Sequence, residues 1–84
     1  MEYTACVRKD DLLPYVGNIE PNAFNNRIMR AKKANVITDS DLPKFRLILT
    51  KEMVIKVLTK VFEFAFDTAV DTYNKIAQKY EKNR

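Results

Sequence analysis

Between Leu47 and Lys82, apolar residues return at Val54, Leu58, Val61, Ala65, Ala69, Tyr73, Ile76 and Tyr80. Steps of three and four place these side chains on one helix face. The pattern predicts a long C-terminal amphipathic helix occupying residues 50–82. Met53, Val57, Phe62, Phe64 and Phe66 add apolar groups off that stripe, so the first half is apolar nearly all round. Such a helix must be covered on several sides, and the remaining chain is short for the task. Lys51 to Lys82 as one helix would span about 48 Å. A domain of this length has a radius of gyration of about 12 Å. The last turns are therefore expected to protrude or to lie along a neighbouring chain.

The preceding residues divide into shorter pieces. Residues 1–7 alternate weakly and are expected to form an extended arm, because no second strand is evident with which they could pair. Arg8 to Leu13 suit one or two helical turns, with Asp10 and Asp11 at the N-terminal end that favours negative charge. Pro14 is expected to end that piece, and Gly17 marks a turn. Pro21 opens a second helix, with Phe24, Ile28 and Ala31 on its buried face, Asn35 as its C-terminal cap, and Lys32 and Lys33 matching the dipole there. Ser40, with Pro43 in the first turn, predicts a short helix from Asp41 to Leu49 that buries Leu42, Phe45, and Leu47 or Ile48 with Leu49. Thr50 is the expected cap of the long helix, with Glu52 in its first turn. The fold class is all-α, one small domain over 1–84: arm 1–7, short helices 8–49, long helix 50–82.

Composition narrows the function classes. The chain has 84 residues, a single cysteine (Cys6) and no histidine, so disulfides cannot staple it and a metal site is disfavoured. Oligomerisation or docking on a larger assembly is the common remaining aid to stability in so small a domain. The lone Cys and an N-terminus without a secretory apolar core suit a cytoplasmic setting. The longest apolar section, Val61 to Phe66, already contains Glu63, so no membrane span is expected. Net charge is +4, a mild excess that suits ordinary solubility.

Little points to catalysis, for no phosphate-binding Gly-rich loop and no nucleophile with a nearby base is present. Glu63, Asp67 and Asp71 fall at i, i+4, i+8 on the predicted helix. They lack the facing Glu-x-x-His pairs of helical carboxylate metal sites, so a solvated or salt-bridging face is expected, with no metal and no cofactor. Residues 21–38 contain no acid, and Arg27, Arg30 and Lys33 share a helix face opposite Phe24, Ile28 and Ala31. That basic contact face suits acidic protein surfaces, and phosphate is the less favoured partner. In identical copies the acidic band of the long helix could meet it, head to tail. The expected partner interface is Val54, Leu58, Val61, Phe62, Phe64, Phe66, Ala69, Tyr73, Ile76 and Tyr80, made with other copies or with a larger protein assembly.

The stretch from Val7 to about Ile37, VRKDDLLPYVGNIEPNAFNNRIMRAK and the residues after it, is similar to the opening of small helical head–tail connector (adaptor) proteins of tailed phages. The shared features are an extended start, an Asp-Leu short helix, a turn, and a helix of Ile-x-x-Ala type, here Ile28 and Ala31. The resemblance implies a ring-forming, non-enzymatic virion component that contacts the portal or a neighbouring ring. The leading expectation is therefore a structural assembly subunit. The alternative is a small regulatory or inhibitor protein that binds nucleic acid or a larger protein through the basic helix 21–34.

Overall fold

A computed structural model describes residues 3–43 and 47–82. Strand β1 (Val7–Arg8) leads into a 3₁₀ helix (Lys9–Val16), helix α1 (Pro21–Lys33), strand β2 (Ile48–Leu49) and helix α2 (Lys51–Lys56). A π-helical turn (Val57–Val61) continues α2, and after a short break helix α3 (Phe66–Lys82) completes the order. The protein is mostly helical, as the apolar periodicity predicts.

Several boundaries follow their local signals. Gly17 turns the chain at φ 94°, and Pro21 opens α1. Asn35 takes the left-handed conformation at φ 61°. Its amide and that of Val36 donate to the carbonyls of Lys32 (3.1 Å) and Ala31 (2.9 Å), the paired closure of a Schellman end. Phe24, Ile28 and Ala31 are the buried residues of α1. Thr50 caps α2, its Oγ1 accepting from the Met53 amide at 3.3 Å.

Other expectations are corrected. A C-terminal amphipathic helix is present, but it starts at Phe66; residues 50–82 are not one continuous helix. Glu63 adopts φ 60°, and the Phe64 amide closes back on the Leu58 carbonyl at 2.8 Å. This reversal lays α3 against α2, β1 and the 3₁₀ helix. The chain thereby reaches a radius of gyration of 12.2 Å without a protruding helix. The extended arm expected over residues 1–7 is a strand where Val7 is reached, since Val7 pairs antiparallel with Leu49 and Arg8 with Ile48. Its partner was hidden because residues 41–49 read as a short helix. Instead, Thr38 and Asp41 exchange side-chain bonds with each other's amides (3.1 and 3.3 Å), a capping box followed by turns rather than a helix. Phe45 lies outside the described residues. Pro14 does not end the first helical piece, which runs on in tight 3₁₀ turns to Val16 until the Gly17 and Asn18 amides close on Leu13 O.

One core serves the described residues. Val7, Leu12, Phe24, Ile37, Leu49, Val54, Leu58 and Tyr73 are all buried in it. The N-terminal segment is tied to α3 by polar contacts. The Tyr73 hydroxyl donates to Ala5 O at 2.6 Å, the Thr4 amide donates to Glu81 Oε1 at 3.3 Å, and the Tyr80 hydroxyl bonds Asp11. That last bond, ahead of burial, raises the Tyr80 pKa by favouring the protonated phenol. Burial, ahead of nearby Glu81, raises that of Tyr73.

Two outcomes follow from these ties. Tyr73→Phe strands the Ala5 carbonyl, and urea denaturation should show a loss of about 1–2 kcal/mol. Lys56 bonds Asp41 at 2.5 Å and, ahead of the Thr38 amide, lowers the Asp41 pKa. A folded-state pKa below the unfolded one means stability that is present above the unfolded value and lost as pH falls through the folded value. The gap in urea midpoint between the parent protein and Asp41→Asn should therefore be wide at neutral pH and shrink below about pH 4.

Candidate functional site

Helix α1 carries positive charge in excess because no acid occurs between its first and last residues. Of its cations, Lys32 is committed to the fold through an ion pair with Asp39 at 2.9 Å. Arg27 lies over the ring of Phe62, 5.3 Å from its centroid, and Phe62 in turn stacks on buried Phe24 at 5.5 Å. A guanidinium resting on an aromatic face is held with its planar edge outward, free to form paired bonds to an oxyanion. Among the described residues, Arg30 and Lys33 have no ion-pair partner.

The reversal at Glu63 completes this surface. The π-helical turn packs against α1 and Glu63 follows it, so that Arg27, Arg30, Ala31, Val36, Lys60, Val61 and Glu63 line one open cleft of about 360 Å³. Three cations thus face a single carboxylate, and no ion pair joins them among the described residues. Met29 and Val36, 56% and 41% exposed, add apolar surface on the same helix and just beyond its end. Of the two only Val36 lines the cleft, where it adds an apolar group beside arginine, a residue enriched in protein-binding surfaces. Chemically the cleft can hold a carboxylate or another anion by charge-assisted hydrogen bonds.

The structure brings Arg27 and Arg30 of the predicted basic face together and leaves Lys33 outside the cleft. The predicted partner interface is distributed differently. Val54, Leu58, Ala69, Tyr73 and Ile76 are buried in the chain's own core, and Val61, Phe62 and Phe64 pack against it. Folding α3 back supplies from within the cover that a straight helix would need from another chain. Only Phe66 (65% exposed) and Tyr80 (38% exposed) remain at the surface. Fourteen residues of helix separate them by about 21 Å, so they do not form one patch. The predicted acidic ladder loses Glu63 to the cleft, and Asp71 pairs with Lys75 at 3.2 Å. Among the described residues, no group of three or more His, Cys, Asp or Glu side chains is placed to hold a metal ion. Nor is any described helix long and apolar enough to cross a membrane.

Lys60 and Glu63 were not readable as site residues, because both sit on the polar face if the helix is straight. Two signals did point to a break. Glu63 and Asp67 would repel at i, i+4 in a continuous helix. Phe62, Phe64 and Phe66 would point three ways from it.

No protein family, no curated protein and no solved structure matches this chain.

Proposed function

We propose that the chain is a non-enzymatic interaction module, an assembly component that docks on an acidic protein surface through Arg27, Arg30 and Lys60. The observation that carries this reading is the convergence of those three cations on one open cleft, beside the exposed apolar Val36. Mixed charge favours a protein partner over nucleic acid: Glu63 stands in the cleft, where a phosphate backbone would meet repulsion. Within the chain itself, the complementary surface is the exposed Asp67 and Asp71 on α3. Another copy could present that surface head to tail, which makes a homo-oligomeric ring one form of the assembly.

The resemblance of residues 7–37 supplies the sharpest version, a virion component of connector type working in the host cytoplasm and the particle. That version rests on the sequence pattern alone: the Asp-Leu piece, the turn at Gly17, and Ile28 and Ala31 of an Ile-x-x-Ala helix. The regulatory alternative, a small protein that binds nucleic acid or a larger protein through helix 21–34, uses the same cations, and with nucleic acid as target it gains nothing from Val36.

Poly-glutamate and a short DNA duplex, each titrated into labelled protein at low and moderate salt and followed by NMR, separate these readings. Poly-glutamate should shift the amides around Arg27, Arg30 and Lys60, and the double substitution Arg30→Ala, Lys60→Ala should weaken it about tenfold or more. Duplex DNA binding more tightly than poly-glutamate, with affinity falling steeply as salt rises, would favour the nucleic-acid alternative. Silence from both probes would remove the basic cleft as the docking surface.

A further inference from the structure

The bend between the π-helical turn and α3 has no glycine, proline or capping side chain to cause it. No glycine or proline follows Pro43, and the like charges of Glu63 and Asp67 disfavour a straight helix only weakly, so residues 62–65 are not obliged to stop it. Ala65, whose carbonyl accepts the first α3 bond from Ala69 at 2.9 Å, offers no side-chain oxygen as a cap. The turn passes through Glu63 at φ 60°. The other left-handed residues with a Cβ among those described are Asn18 and Asn35, a residue type that tolerates the conformation. Glu63 is held there by the Phe62 and Phe64 amides closing on the Val57 and Leu58 carbonyls (3.3 and 2.8 Å) and by the packing of α3 on α2, β1 and the 3₁₀ helix.

The apolar phase also runs unbroken across the bend. If residues 62–65 were helical, Val61, Ala65, Ala69 and Tyr73 would lie on one line. Straightening would return Glu63 to favoured backbone angles and add helical hydrogen bonds through the four residues. It would also bare both the α3 stripe and the groove that α3 fills. The surface that fits that groove is α3 itself, because Ala69, Tyr73, Ile76 and Ala77 are already buried in it. The bonds to Thr4, Ala5 and Asp11 could form equally well between chains.

We propose that the occupant is a second copy of this chain: at raised concentration two molecules exchange α3, each straightening through residues 62–65 and seating its α3 in the groove of the other. This dimer does not rest on the basic-cleft function and stands or falls separately from it. The contacts of α3 with the rest of the fold are kept, while those of the hinge itself, the Phe62 and Phe64 packing and the closure on Leu58, are rearranged; retention of the α3 contacts is the condition under which exchange competes with the monomer.

The test is light scattering across a concentration series, after equilibration in mild urea and return to buffer, on the full chain and on Glu63→Gly and Glu63→Ala. Glycine favours the left-handed turn and disfavours the straight helix, and both effects act in each of two chains. Glu63→Gly should therefore weaken dimerisation by about a hundredfold or more. Glu63→Ala should dimerise at least as readily as the parent protein, and Cα chemical shifts of residues 62–65 should turn helical in the dimer. The parent protein and Glu63→Ala remaining monomeric to millimolar concentration would overturn the proposal. So would a dimer that ignores Glu63→Gly or keeps non-helical shifts at the hinge, since that is side-by-side association. Glu63→Gly strengthens the monomer, so its comparison with the parent chain stands even where Glu63→Ala folds poorly.

Discussion

The apolar stripe of the C-terminal third must be covered, and this chain covers it by turning that third back on itself. Tyr73 shows how closely the rest depends on the turn. Its ring is fully buried, its hydroxyl meets the Ala5 carbonyl, and Lys51 Nζ lies 5.9 Å from the ring centroid. One side chain thus joins the N-terminal segment, the start of α2 and the middle of α3. Within one chain, these could not be joined if the helix ran straight. Core packing holds Glu63 in a conformation that its own side chain disfavours, a case of tertiary contacts overriding local preference.

The same turn decides the electrostatics. Lys32 and Lys56 are spent on Asp39 and Asp41, fixing the loop after α1 to the helices on either side of it. Those two lysines are thereby withdrawn from binding, while Arg27, Arg30 and Lys60 stay together in the cleft. Phe62 contributes in both directions, stacking inward on Phe24 and supporting Arg27 on its outer face. Core and candidate surface share that ring, so neither can be altered there without the other.

What could be read in advance depended on the range of the signals. The ends of α1 follow from Pro21 and Asn35, and the start of α2 from Thr50, because caps and turns act within a few residues. Arg27 and Arg30 were accordingly visible on one helix face. The β1–β2 pair was not, since a two-residue strand has too little alternation to show, and its halves stand about forty positions apart. The interface predicted along the C-terminal stripe named apolar residues that do need cover, but periodicity cannot say whether that cover comes from another chain or from this one. Lys60 and Glu63 joined the cleft only through the reversal, which no glycine, proline or capping side chain announces.

The pairing of early and late residues has a consequence for how the protein acquires its shape. Thr4 bonds Glu81, Ala5 bonds Tyr73 and Asp11 bonds Tyr80, across sequence separations of 77, 68 and 69 residues. Helix α1, with its local contacts, can form while the chain is still being synthesised, but the segment before it must wait for α3 to emerge from the ribosome. Contacts of such long range slow folding, because loop closure has to precede the burial that rewards it. During that wait Val7 and Leu12 lie open to water, and what shelters a nascent chain in the interval bears on its yield as much as the stability of the finished fold.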